Sequence, residues 1–158
     1  LGKPAESIIG NNVGTDIGAI AEHLLAGEIL YREGKVEDGL TELREAVALE
    51  DQLRYDEPPS WIHPVRHALG ATLLKEGRAE EAESVYRADL LRFPENGWAL
   101  YGLAQALREQ GKFAEADDVE LRFRAAWIEA DVEITSSCFC QPGIARAKSP
   151  ASSDGKKP

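Results

Sequence analysis

His63 and His67 stand four residues apart, and Cys138 and Cys140 are separated by one residue. Two imidazoles at that spacing share a helical face, and with two thiols they make a zinc-type donor set. The surrounding residues argue otherwise. Pro64 puts His63 at the start of a helix, and no ligand-rich knuckle encloses the cysteines. Redox-active pairs carry two intervening residues, and Cys138-Phe139-Cys140 has one. Two cysteines so close cannot tie distant parts of a fold together, so no disulfide framework is expected. Both are read as reduced, structural thiols, which suits a cytoplasmic protein.

Carboxylates are numerous without forming a catalytic pair. Glu80-Glu81 and Asp117-Asp118 begin helices, where negative charge complements the macrodipole. Asp89 falls at an interior position and is expected to be hydrogen-bonded within the fold, with the help of Arg66 or Arg92. The chain contains no Ser/His/Asp order, no phosphate-binding glycine loop, no dinucleotide fingerprint and no metal-hydrolase motif. It is read as a non-enzyme, with no cofactor and no metal.

The elements that must position these residues are marked by a repeated phrase. Gly34-Lys35-Val36-Glu37-Asp38-Gly39, Gly77-Arg78-Ala79-Glu80-Glu81-Ala82 and Gly111-Lys112-Phe113-Ala114-Glu115-Ala116 share glycine, a base, a spacer, two polar positions and a tiny residue, with one alanine substitution in the last. Gly77 and Gly111 stand one solenoid period apart, which for helix–turn–helix repeats is about 34 residues. Helical stripes flank each phrase: Ile20, Leu24, Gly27 and Tyr31 before the first; Val65, Leu69 and Leu73 before the second; Tyr101, Ala104 and Leu107 before the third. Val36, Leu40, Leu43, Val47 and Glu50 continue after the first phrase. Ala82, Val85, Tyr86 and Phe93 continue after the second, and Ala116, Val119, Phe123 and Trp127 after the third.

Three repeats are therefore expected within residues 19–131, at about 20–53, 63–96 and 97–130. The interval from Gly34 to Gly77 is longer than that period, so an inserted loop is placed at 54–62, where Pro58 and Pro59 forbid helix. Residues 1–18 read as an irregular lead-in, 132–140 as a short C-terminal segment and 141–158 as a disordered tail. After the third repeat, either residues 132–140 fold back over Phe123 and Trp127 or another chain covers them, so self-association is one of two outcomes. The net charge is −10; positions 141–158 carry +3, leaving −13 on the body. Such a body repels phosphate backbones, and nucleic acid is not expected as a partner. No apolar run reaches the roughly 20 residues that span a bilayer.

In this register the chain resembles the tetratricopeptide repeat family. The small mid-helix position is Gly27, Gly70 and Ala104; the turn is Gly34, Gly77 and Gly111; the crossing residue is Gly39, Ala82 and Ala116; the bulky residue that follows is Leu43, Tyr86 and Glu120. Asp89, Glu120 and Asp51 depart from the usual alanine, aromatic and proline. The stretch from Tyr55 to Leu100 is also similar to the C-terminal part of longer microbial tetratricopeptide proteins. The resemblance implies an all-α fold, a right-handed helical solenoid of three antiparallel helix pairs whose first helices line a concave groove. It further implies a non-catalytic interaction module or scaffold for a protein or peptide partner. The groove residues would be Leu24, Glu28 and Tyr31; His67, Ala71 and Leu74; and Trp98, Tyr101, Gln105 and Arg108. Glu28, Ala71 and Gln105 stand where chaperone-binding members clamp a terminal carboxylate, so a basic or apolar peptide is expected instead. Two other readings are an accessory domain of a larger enzyme or sensor, and a small metal or redox protein if His63, His67, Cys138 and Cys140 converge.

Overall fold

Gly34, Gly77 and Gly111 all adopt positive φ, a left-handed conformation that a side chain would strain. Each closes a helix in the same way. The glycine N–H reaches back three residues (Gly34 to Tyr31, Gly77 to Leu74, Gly111 to Arg108), and the following N–H reaches back five (Lys35 to Leu30, Arg78 to Leu73, Lys112 to Leu107), all at 2.9–3.0 Å. This double bond satisfies carbonyls that a helix end leaves orphaned and turns the chain by a fixed angle. The repeated phrase is thus a repeated turn.

The computed structural model describes residues 7–141. A two-residue hairpin, β1 (Ile8–Ile9) with β2 (Asn12–Val13), precedes six helices. These are α1 (Gly14–Arg32), α2 (Val36–Asp51), α3 (Val65–Lys75), α4 (Ala79–Arg92), α5 (Gly97–Glu109) and α6 (Phe113–Ala126). Consecutive helices pack on one another, and α3 also packs on α5. The architecture is an all-α solenoid of stacked antiparallel helix pairs.

Close helix crossing needs small side chains. A Cβ on Gly39 would press on the α1 backbone at Gly27 and Tyr31, and a Cβ on Gly70 or Gly102 would collide with the ring of Tyr86. Tyr86 therefore passes from α4 between α3 and α5, fully buried. The core around it joins Leu40, Leu43, Leu69, Leu73, Leu100, Leu103 and Leu107. A smaller cluster of Ile20, Ala46 and Val65, with Trp61 against it, seals the first repeat boundary.

Several expectations are corrected. Helix α1 begins at Gly14, inside the stretch read as a lead-in, and a hairpin precedes it. The cause is tertiary. Asn12 is buried, donates to Arg54 O at 3.1 Å and to Ser60 Oγ at 3.0 Å, and accepts from Arg54 N at 2.7 Å. Asn11 donates to Asp56 and to Tyr55 O. The inserted loop thus fastens Asn11 and Asn12 of the lead-in. Glu50 is buried and accepts from Val65 N at 3.0 Å, giving the Pro64-led α3 a partner for its first free N–H. Asp51 holds both Arg66, at 2.6 Å, and Arg92. Those arginines do not serve Asp89, which pairs with His67 at 3.1 Å. The tail read as disordered lies outside the described residues, apart from Gln141.

Candidate functional site

Of the residues expected in a groove, Leu24 and Glu28 of α1, His67 of α3 and Trp98 of α5 line one cavity, and Tyr31, Ala71, Leu74, Tyr101, Gln105 and Arg108 lie outside its lining. On α1, Leu24 is half-buried against the core, Glu28 pairs with Arg32 at 3.0 Å, and Tyr31 donates its hydroxyl to Glu76 at 2.7 Å. Burial, then the Glu76 carboxylate, pushes the Tyr31 phenol up to about 12. On α3, His67 and Ala71 are buried and Leu74 packs on the core. On α5, Trp98 meets Trp127 edge-on at 5.7 Å, and Tyr101 meets Phe123 at 5.5 Å and receives a hydrogen bond from Gln105. Arg108 is turned toward α6, paired with Glu120 at 3.1 Å and Asp117 at 3.4 Å. Glu120 is half-buried; burial pushes its carboxyl up, but Arg108 and Arg124 together hold it below the ordinary value. The carboxylate that replaces the usual aromatic thus has two guanidiniums to meet.

After α6 the chain turns back. Trp127 Nε1 donates to Val132 O at 2.8 Å, and residues 136–140 then cross the face of α1, α3 and α5. Ser137, 1% exposed, lies 2.5 Å from the Tyr86 hydroxyl and donates to His67 O at 3.3 Å. Phe139 rests on Trp98 at 4.9 Å and on His63 at 6.1 Å, yet is 82% exposed. Arg32 Nη2 donates to Cys140 O at 2.9 Å. A fold-back of residues 132–140 was one of the two expected outcomes, but its seat on Tyr86, His67 and Trp98 left no periodicity to read, because single side chains hold it.

Cys138 and Cys140 are joined to each other in a disulfide, which corrects the expectation of reduced thiols. A one-residue separation brought the sulfurs within bonding reach, and the expectation of a cytoplasmic setting loses its cysteine argument. His63, His67, Cys138 and Cys140 do line one cavity of about 590 Å³, with Leu24, Trp61, Val65, Ala68 and Trp98. They are not four free ligands: the sulfurs are bonded together and His67 Nε2 faces Asp89. Among the described residues no group of three or more His, Cys, Asp or Glu side chains is placed to hold a metal. Asp89 is 1% exposed, and its second oxygen, Oδ1, has no hydrogen-bond partner among the described residues. A second, more polar cavity of about 640 Å³ lies between the inserted loop and the end of α4.

Stacked helix hairpins with a shared face of first helices define a helical-repeat protein, a class that works through a surface. Residues 73–119 match the family model of the tetratricopeptide repeat, which covers α4 and α5 entire. That segment is a tetratricopeptide repeat, a kind of repeat that generally mediates protein–protein interaction and is typically non-catalytic. No curated protein matches the chain. Among the described residues no helix is long and apolar enough to cross a membrane.

Proposed function

We propose that this chain is a non-catalytic interaction module that holds an extended segment of a protein partner across the face of α1, α3 and α5. The observation that carries the reading is that a non-helical stretch of the chain itself lies there, with Ser137 sunk onto Tyr86 and Phe139 on Trp98. Aromatic side chains with arginine are what binding surfaces favour. Trp98, Tyr101 and Arg108 supply them, and Leu24, Glu28, Tyr31, His67, Ala71, Leu74 and Gln105 complete the face. The acidic body favours a partner of basic or apolar character.

The test is selection of binding peptides from a random library, followed by mapping of amide shifts by NMR. Shifts concentrated on α1, α3 and α5, and binding weakened by Tyr101→Ala and Arg108→Ala, support the reading. Shifts confined to α2, α4 and α6, or indifference to both substitutions, refute it.

A further inference from the structure

The face assigned to a partner is already partly filled. Residues 136–140 belong to no helix or strand, yet they touch four helices. Their seating uses one serine hydroxyl, one carbonyl and one aromatic ring. A peptide ligand can be held in a groove in the same way, anchored at a few side-chain positions. Beside the segment, between α1 and α3, the cavity of about 590 Å³ is unfilled, so the occupant covers only part of the face.

We infer that Ser136–Cys140 is a built-in occupant of the groove, lying where an external segment would lie, and that the external partner is a peptide that sets a small hydroxylated residue on the Tyr86 hydroxyl and an aromatic ring on Trp98. This rests on the groove reading above. The chemistry of the first contact is restrictive. Tyr86 is fully buried, and withdrawal of Ser137 leaves its hydroxyl without that partner, which is costly in a dry site. An incoming residue must therefore bring a hydrogen-bonding group. It must also be small, because Ser137 sits against the His67 carbonyl and the Tyr86 ring with 1% of its surface exposed. It must not be anionic, because Asp89 lies behind His67 at 3.1 Å and a second anion would be repelled. Serine or threonine satisfies all three conditions, and a phosphorylated residue fails two.

The test uses the full chain and a fluorescein-labelled synthetic peptide of residues 132–141, with its own disulfide closed. Ser137→Glu with Phe139→Ala detaches the built-in segment without touching the groove. Expected is at least tenfold tighter binding of the peptide by this variant than by the unaltered chain, in fluorescence anisotropy, and no binding of a peptide carrying the same two substitutions. Amide exchange should rise at residues 136–140 and stay slow in α3 and α5. Should the double variant fail to fold, Phe139→Ala alone alters an exposed side chain and should still tighten binding about threefold.

The inference is overturned if a folded, detached variant ignores the peptide, if the unaltered chain binds it equally well, or if light scattering shows that the segment is exchanged between two copies. If the detached variant ignores the peptide but binds library-selected ones through Tyr101 and Arg108, this inference falls and the groove reading stands. If the peptide binds regardless of Tyr101 and Arg108, the built-in occupant stands and that end of the groove assignment falls.

Discussion

The hydroxyl of Tyr86 and the Oγ of Ser137 lie 2.5 Å apart, 51 residues from each other in sequence and both fully buried. The contact exists because Gly70 and Gly102 leave a passage between α3 and α5 wide enough for a phenol ring. Tyr86→Phe keeps the ring and removes the bond, and should cost about 1 kcal/mol. Gly102→Ala puts a methyl into the ring and should cost about 1–3 kcal/mol. In a Tyr86→Leu background the glycine substitution should become much milder. Urea denaturation of the parent, Gly102→Ala, Tyr86→Leu and the double variant gives the cycle. Additive losses would show that the ring and the glycine do not share one space.

Glu50 tests the cap on α3. Burial raises its carboxyl above the ordinary value, against the opposing Val65 N–H and Arg66. A carboxylate raised on folding adds least stability once pH climbs above its unfolded value, because only the native state then prefers the proton. Glutamine keeps an acceptor for Val65 N and never ionises. Glu50→Gln should therefore compare better with the parent at pH 7 than at pH 4, while Glu50→Ala loses about 1–2 kcal/mol at both. Thermal melts at the two pH values decide it, and a reversed order sinks the assignment.

Glu83 joins neighbouring repeats. Lys112, at 2.8 Å, is the main influence holding its carboxyl down to about 2, with Arg87 and Gln110 assisting. Its contribution is present above the ordinary value of 4.5 and is lost as pH falls from there through about 2. Because its cationic partners are solvated, Glu83→Gln should cost about 1 kcal/mol at pH 7. The cost should vanish near pH 2, as followed by circular dichroism against pH.

The Cys138–Cys140 bond restricts the segment that crosses the groove. Dithiothreitol would reduce it to two thiols, giving up two electrons and two protons and closing into its own cyclic disulfide. Chain-entropy estimates for so short a loop give about 1–2 kcal/mol. Reduction, or Cys138→Ser with Cys140→Ser, should therefore speed amide exchange at residues 137–140 about tenfold and leave α3 to α5 unchanged. Equal exchange in both states would show that the bond does not hold the segment in place.

What could be read without coordinates was whatever recurs. Gly34, Gly77 and Gly111 announced the turns because the same backbone geometry was needed three times. Gly39, Ala82 and Ala116 announced the crossings for the same reason. Contacts that occur once leave no such trace. Asn12 resembles any loop asparagine until Arg54 and Ser60 stand beside it, and Glu50 looks like the polar end of a stripe until it meets Val65 N. Asp89 was placed inside by register, but its partner, His67, came from the same face and not from the nearby arginines. Ser137 gave no signal at all, because the tyrosine that receives it is let through by side chains that Gly70 and Gly102 lack.

Arg32 and Cys140 are 108 residues apart and joined by a hydrogen bond from the guanidinium to the carbonyl. Repeat arrays ordinarily come undone like a zipper, each unit leaning only on its neighbours, with fraying from the free ends. Here the last described stretch is fastened to the first helix, and the opening hairpin is fastened to the loop after the first repeat. A line of units has been made into a closed circuit. The molecule should melt in one concerted step, with fluorescence of the tryptophans and circular dichroism of the helices changing together, and an Arg32→Ala chain should begin to separate the two curves.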